Sequence, residues 1–101
     1  MADLYFRVYE TAGATAQGQK VQEGKVAIGG TSTQSAAISN GARPSNAAMK
    51  VRLWTDGACF VTWGENPTAL NDGTEGMPMA ADSYEYVQIQ AGHLLAVIEK
   101  V

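Results

Sequence analysis

Few residues of this chain have the type and spacing that chemistry requires. The chain contains one histidine, His93, and one cysteine, Cys59. Metal sites built from imidazole need at least two histidines, or one with well-spaced carboxylates, and thiolate zinc sites need several cysteines. A Ser-His-Asp or Cys-His arrangement based on His93 has no nucleophile in a motif that would expose it. The sequence therefore predicts no catalytic residue, no metal and no cofactor, and we expect the protein not to be an enzyme.

The individual reactive groups have structural interpretations. His93 follows the turn signal Ala91-Gly92, where a structural role is favoured. Cys59 lies in an apolar run, which favours a small strand hydrophobe over a reactive thiol. Paired carboxylates for acid–base chemistry would come from loops and strand edges, where solvated charge is the favoured interpretation. These carboxylates are Asp72, Glu75, Asp82 and Glu85.

Length, composition and charge restrict the function further. The 101 residues are 46% hydrophobic and 17% charged, which predicts one ordered domain spanning residues 1–101. A net charge of −3 provides no broad positive field, so we expect no nucleic-acid partner. The longest apolar stretch, Leu94 to Ile98, is far shorter than the roughly 20 residues of a membrane helix. With no signal-peptide layout at the N-terminus, we expect a soluble protein made in a cytoplasm, with no membrane partner.

Hydrophobic periodicity predicts strands throughout the chain. Leu4, Phe6 and Val8 alternate with polar or amphipathic residues, as in a half-buried strand, and no window shows a helical stripe. The fold class predicted is all-β: a small antiparallel β-sandwich or jelly-roll-like barrel with long loops. The strands are predicted at residues 4–9, 20–28, 49–54, 58–63, 84–90 and 94–101.

The Asp56-Gly57 turn signal predicts a hairpin between the third and fourth of these strands. In that register Trp54 is opposite Cys59, and the Lys50 ammonium lies against the Trp63 ring. A slip of one residue would reverse both faces. The predicted core face carries Met49, Val51, Leu53 and Phe60, and the predicted outer face carries Lys50, Arg52, Trp54, Cys59, Val61 and Trp63.

Two long segments lack strong periodicity. Residues 29–46 hold few large apolar side chains, so we interpret them as a possible extended arm or loop that contacts a partner, with room for a short edge strand. Turns are predicted at Asn40-Gly41 and Arg43-Pro44. Residues 64–82 contain Pro, Gly and Asn-Asp-Gly signals and are predicted to be a long connection between two hairpins.

The aromatic residues of the second half allow two uses. Trp54, Trp63, Tyr84 and Tyr86 could form a platform on which sugars stack. Cross-strand packing or a subunit interface is the favoured use, since both select amphipathic aromatic side chains.

The stretch from Val51 to Val101 resembles a family of small structural proteins of tailed bacteriophages. The resemblance lies in VRLWTDGACFVTWGENPTA, then NDGTEG, then MPMAADSYEYVQIQAGHLLAVI, which cover about half of the chain. Its most distinctive residues are Asn66, Pro67, Thr68 and Ala69, none of them catalytic. The resemblance implies a capsid decoration (cement) protein with a jelly-roll-like fold. Such a protein binds the major capsid protein between capsomers as a dimer or trimer, and is found on the virion surface.

The resemblance thus implies a virion structural protein that binds and stabilises a phage head shell. The alternative is a phage carbohydrate-binding or host-adsorption module, and a cupin-like enzyme or other β-domain is a third class. A cement protein needs only a rigid core and an adhesive surface. The candidate interface residues are Lys50, Arg52, Trp54, Trp63, Asn66, Pro67, Tyr84 and Tyr86.

Overall fold

The computed structural model describes residues 2–10, 20–72, 74 and 76–100. Residues Gly73, Glu75 and Val101, which carry parts of the sequence predictions, lie outside these ranges. None of the described residues belongs to a helix that could cross a membrane. The strands are β1 (Asp3–Tyr9), β2 (Lys20–Ala27), β3 (Thr33–Gln34), β4 (Ala48–Thr55), β5 (Cys59–Gly64), β6 (Met77–Met79), β7 (Ser83–Gln90) and β8 (Leu94–Glu99).

The strands form two antiparallel four-stranded sheets. Sheet A has the order β2-β1-β4-β7, and sheet B has the order β3-β8-β5-β6. The chain crosses from one sheet to the other after β2, β3, β4, β6 and β7, as in a double-sheet jelly roll. The all-β prediction is therefore confirmed in its sandwich form. Among the described residues each sheet keeps two edge strands, so these strands do not close into a barrel.

The core lies between the two sheets and follows the alternation of the sequence. Leu4, Phe6 and Val8 of β1 point inward and are at most 4% exposed. The predicted inward residues of β4, which are Met49, Val51 and Leu53, are all fully buried. Burying an aliphatic side chain of this size contributes about 1.5–3 kcal/mol. The period of two in β1 and β4 thus determines which face of sheet A packs against sheet B.

Sheet B is apolar on both faces, as the continuous apolar run of β8 predicted. Leu95 and Val97 point into the core between the sheets, whereas Ala96 and Ile98 point to the other side. There they form a second, smaller cluster with Phe60 of β5 and Ala69 of the β5–β6 connection. This connection therefore covers the outer face of sheet B. The short strand β6 lies within residues 64–82, where the sequence predicted a connection and no strand.

The predicted hairpin between β4 and β5 is wrong. β4 pairs with β1 and β7, whereas β5 pairs with β6 and β8 in the other sheet. The predicted faces of β5 are wrong as well, because Cys59 and Val61 point into the main core and Phe60 points away from it. A turn signal acts locally, but sheet membership depends on burying two apolar faces of β5, which requires a central position in a covered sheet.

Side-chain hydrogen bonds turn the chain from sheet A into sheet B. The hydroxyl of Thr55, a fully buried residue, donates to the carbonyl of Gly57 at 2.6 Å and accepts from its N–H at 3.2 Å. The Asp56 carboxylate accepts from the backbone N–H of Asp3 at 2.7 Å. The Asp56-Gly57 turn therefore exists, but its aspartate is hydrogen-bonded to the start of β1. The turn leads the chain from β4 in sheet A to β5 in sheet B.

Residues 29–46 contact the body of the domain. β3 is the edge strand that this composition allowed, and Ile38 is 2% exposed within the main core. The Ile38 N–H donates to the backbone carbonyl of His93, so the backbone of His93 has a structural contact. The predicted turn at Asn40-Gly41 is confirmed, since Gly41 has a φ of 55° and Arg43 N–H donates to the Asn40 carbonyl.

Candidate binding interface

The outward side chains of sheet A form a grid of aromatic and charged groups. Antiparallel pairing places residues from neighbouring strands directly opposite each other, about 5 Å apart. Because residues two apart on a strand share a face, the outward positions fall into successive rows. The first row is Lys25, Tyr5, Trp54 and Tyr84; the second is Glu23, Arg7, Arg52 and Tyr86; the third is Lys20, Tyr9, Lys50 and Gln88.

Two cations of β4 lie over two tyrosines of β7. Lys50 Nζ is 4.8 Å from the centre of the Tyr86 ring, and Arg52 Cζ is 5.3 Å from the centre of the Tyr84 ring. Each cation thus contacts the tyrosine of the next row, and the two tyrosine rings meet edge to face at 6.1 Å. Contacts of this kind are worth about 0.5–1 kcal/mol each at exposed sites. They hold two rings that remain 57% (Tyr84) and 41% (Tyr86) exposed.

Two arginines occupy directly opposite positions in the second row. Arg7 of β1 faces Arg52 of β4, and like charges in such a pair are destabilising. Arg7 Nε forms a salt bridge to Glu23 at 3.2 Å, and Lys20 Nζ lies 3.1 Å from the same carboxylate. Lys20, chiefly by its hydrogen bond and charge, and then Arg7 lower the pKa of Glu23. Within the described part of the chain, Arg52 Nε is shielded from solvent and has no hydrogen-bond partner.

A hollow lies beside these arginines, over β1, β2 and β4. Its volume is about 480 Å³. The Tyr5 and Trp54 rings meet at 4.9 Å between centres, with their planes 42° apart. The polar lining comes from three basic residues and one acid. Lining residues include Tyr5, Arg7, Glu23, Lys25, Arg52 and Trp54.

Charge is distributed unevenly over the molecule. The chain carries −3 overall, yet among the described residues the outer face of sheet A holds five of the seven Lys and Arg residues. In the three rows given above, the acidic residue is Glu23. The five basic residues are Arg7, Lys20, Lys25, Lys50 and Arg52. The face is therefore positive and aromatic on an otherwise acidic protein.

The structure brings together five of the eight predicted interface residues. Lys50, Arg52, Trp54, Tyr84 and Tyr86 all lie on the outer face of sheet A. Lys50 differs from expectation, however, because it is 6% exposed and its ammonium contacts the Tyr86 ring instead of the predicted tryptophan. The exposed contact groups of this set are thus the two tyrosines, with Arg52 and Trp54 half-buried beside them.

Trp63 does not belong to this surface. It is on β5 of sheet B, where it pairs with Leu95 and packs against the main core. The prediction that it shares a face with Lys50, Arg52 and Trp54 is wrong because it followed from the hairpin register. Its neighbours Cys59 and Val61 point the same way, into the space between the sheets.

Asn66 and Pro67 lie in a different part of the molecule. Gln34 Nε2 of β3 donates to Asn66 Oδ1 at 2.9 Å and to the Pro67 carbonyl at 2.8 Å. Ala69 N–H donates to the Ser32 hydroxyl at 2.9 Å. These bonds hold the β5–β6 connection against the edge of sheet B. The most distinctive residues of the sequence resemblance therefore support the fold at this position.

The first half of the chain contributes side chains to this face that the sequence did not predict as interface residues. Tyr5, Arg7, Glu23 and Lys25 line the hollow, but none was predicted as an interface residue. The alternation of β1 already placed Tyr5 and Arg7 opposite its apolar positions. Their proximity to Arg52 and Trp54 depends on the pairing of β1 with β4, which no local pattern indicated.

The reactive side chains named in the sequence analysis have structural surroundings. Cys59 is fully buried, which confirms its interpretation as a strand hydrophobe, and burial raises the pKa of its thiol. Asp72 accepts hydrogen bonds from the Thr74 hydroxyl and N–H, which lower the pKa of its carboxyl. Among residues 2–10, 20–72, 74 and 76–100, no group of three His, Cys, Asp or Glu side chains could hold a metal ion.

Comparisons with known proteins assign no relatives to the chain. No protein-family model matches it, and searches of curated proteins and of solved structures also find no match. Inferences about function therefore depend on the surface described above and on the sequence resemblance of residues 51–101.

Proposed function

We propose that the protein is a virion structural protein, a decoration protein that binds the major capsid protein of a tailed-phage head and stabilises the shell. The observation that carries the proposal is the exposed cation–tyrosine arrangement on the outer face of sheet A. The resemblance of residues 51–101 to small phage structural proteins indicates the assembly that the protein would join, the phage head shell. In this proposed role the protein is non-catalytic.

The physical properties of this face suit adhesion to another protein. Tyrosine, tryptophan and arginine are enriched at the residues that carry most binding energy in protein interfaces. Tyr84 and Tyr86 are already held by Arg52 and Lys50, so binding would restrict few additional side-chain rotations. A rigid sandwich in two or three copies, as the resemblance implies, would multiply modest contacts on a symmetric shell.

The abundance of the protein on particles tests its assignment to the virion. Quantitative mass spectrometry of purified particles from the encoding phage, scaled to the major capsid protein, is the measurement. Hundreds of copies per particle are expected for a shell protein. A handful would indicate a tail or adsorption position, and complete absence would refute the virion proposal.

Rebinding to particles that lack the protein tests the surface. The double variant Tyr84→Ala/Tyr86→Ala should bind at least about tenfold more weakly, since hot-spot side chains contribute about 2 kcal/mol or more. Leu70→Ala is the matched control, because Leu70 is 40% exposed but lies in the β5–β6 connection. Equal binding by the tyrosine variant and the native protein, with both folded, would exclude this face.

The hollow beside Tyr5 and Trp54 favours sugar binding as a second candidate function. Aromatic rings next to charged groups are suited to a sugar ring, and the hollow is large enough for one. A phage adsorption module should bind host surface glycans and lose them in Trp54→Ala. Failure of the native protein to bind purified host glycans at millimolar concentration would remove this candidate.

A further inference from the structure

We propose that the hollow over β1, β2 and β4 is a subsite for a carboxylate, with the Arg52 guanidinium as its main ligand. The occupant would be an aspartate or glutamate side chain from an acidic segment of the partner protein. This inference rests on the proposed function, because it names the chemistry that the partner presents to the outer face of sheet A.

The second row carries a positive charge that no carboxylate of the described residues compensates. Arg7 and Arg52 face each other across two paired strands, and the salt bridge to Glu23 involves Arg7. Within the described residues, Arg52 has no carboxylate partner and contacts the Tyr84 ring instead. A local conflict that the fold leaves unresolved is typical of a functional site. An added carboxylate beside Arg52 would relieve the repulsion.

Arg52 has unused hydrogen-bonding capacity at its Nε atom. Its Nε is buried without a hydrogen-bond partner among the described residues, and an unsatisfied buried donor is costly. A carboxylate binds the planar edge of a guanidinium through two parallel hydrogen bonds. In the proposed complex a carboxylate accepts from this Nε–H, while Arg52 Cζ stays in contact with the Tyr84 ring.

The composition of the hollow also suits an acidic side chain. Tyr5 and Trp54 provide an apolar wall for the methylene groups of an acidic side chain, and Lys25 adds a second positive charge opposite Tyr5. The single acid of the lining, Glu23, is already paired with Arg7 and Lys20. An acidic peptide therefore fits better than DNA. A short peptide can lie on this positive face alone, whereas an extended polyanion would also meet the rest of a chain whose net charge is −3.

A titration followed by nuclear magnetic resonance tests the subsite directly on the native protein. The probe is acetyl-tetraglutamate amide, and its uncharged match is acetyl-tetraglutamine amide. The Arg52 Nε–H signal, assigned by its absence from the Arg52→Lys variant, should shift and saturate with the glutamate peptide alone. Equal shifts with both peptides, or none with either, would refute the subsite. A short DNA oligonucleotide that binds more tightly than the glutamate peptide would overturn the choice of ligand.

Variants then separate the specific role of Arg52 from general charge. Arg52→Gln should weaken binding of the glutamate peptide about tenfold or more, as expected for charge-assisted hydrogen bonds. Lys100→Gln is the matched control, because Lys100 is also a cation over an aromatic ring, that of Phe60 on sheet B. Equal weakening by the two variants would mean that net charge alone attracts the peptide, which contradicts the proposal.

The outcome also distinguishes this subsite from the proposed function. If native protein binds particles through Tyr84 and Tyr86 but the glutamate peptide leaves Arg52 unaffected, the subsite fails and the adhesive face remains. If the peptide binds at Arg52 while particles neither contain nor bind the protein, the subsite is supported and the virion assignment fails.

Discussion

Removing the hydroxyl of Thr55 should destabilise the protein substantially although the replacement by valine has almost the same shape. Thr55 is fully buried at the end of β4, and its hydroxyl makes two hydrogen bonds to the backbone of Gly57. These bonds form the turn that sends the chain from sheet A to sheet B. In Thr55→Val, the Gly57 carbonyl and N–H both lose their partner in a partly buried position.

The magnitude follows from the number of groups left unsatisfied. A hydrogen bond contributes about 1 kcal/mol net, and an unsatisfied buried partner costs about 1–3 kcal/mol. Because Gly57 is only half-buried, water recovers part of this loss. We expect Thr55→Val to lower the free energy of unfolding by about 2 kcal/mol. Thr55→Ser keeps the hydroxyl and loses one buried methyl group, which should cost about 1 kcal/mol.

Urea denaturation followed by tryptophan fluorescence measures both variants. With a slope of about 2 kcal/mol per molar urea, Thr55→Val should move the midpoint down by about 1 M. Thr33→Val is the matched control, since the Thr33 hydroxyl makes one long, exposed bond of 3.5 Å, and we expect a change within about 0.5 kcal/mol. A Thr55→Val protein as stable as the native one would refute the reasoning. So would Thr55→Ser destabilised as much as Thr55→Val, because keeping the hydroxyl and its two bonds to Gly57 would then have preserved no stability.

Two further predictions concern side chains of β5. Trp63→Ala should lower the free energy of unfolding by about 2 kcal/mol, because Trp63 is only partly buried and a fully buried ring would cost about 3–5 kcal/mol. Particle binding should stay unchanged. Weaker binding at unchanged stability would instead show that Trp63 belongs to the interface. The buried thiol of Cys59 should react with a disulfide reagent only after unfolding, and rapid labelling of native protein would contradict its burial. Because burial raises the pKa of this thiol, its contribution to stability is present below the ordinary thiol pKa and lost as pH rises through the raised value.

The alternation of apolar side chains allowed much of the fold to be predicted from the sequence. In β1 and β4 it identified the inward residues correctly, because a strand buried on one face must place every second side chain in the core. The apolar run of β8 likewise predicted a strand covered on both faces. Short strands such as β3 and β6 carry too few residues for a period to be read, and their position depends on the neighbours they pair with.

The sequence by itself thus determined the fold class, the inner face of sheet A and five outward residues of the second half. Only the tertiary structure decided which strands are neighbours. The Asp56-Gly57 signal indicated a turn but could not show that β4 continues between β1 and β7, far apart in the chain. That pairing brings Tyr5 and Arg7 beside Trp54 and Arg52. It also leaves Trp63 on the other sheet, where the side chain packs against the main core. Long-range pairing is set by the joint burial of all apolar faces, a property of the whole domain that no local segment contains.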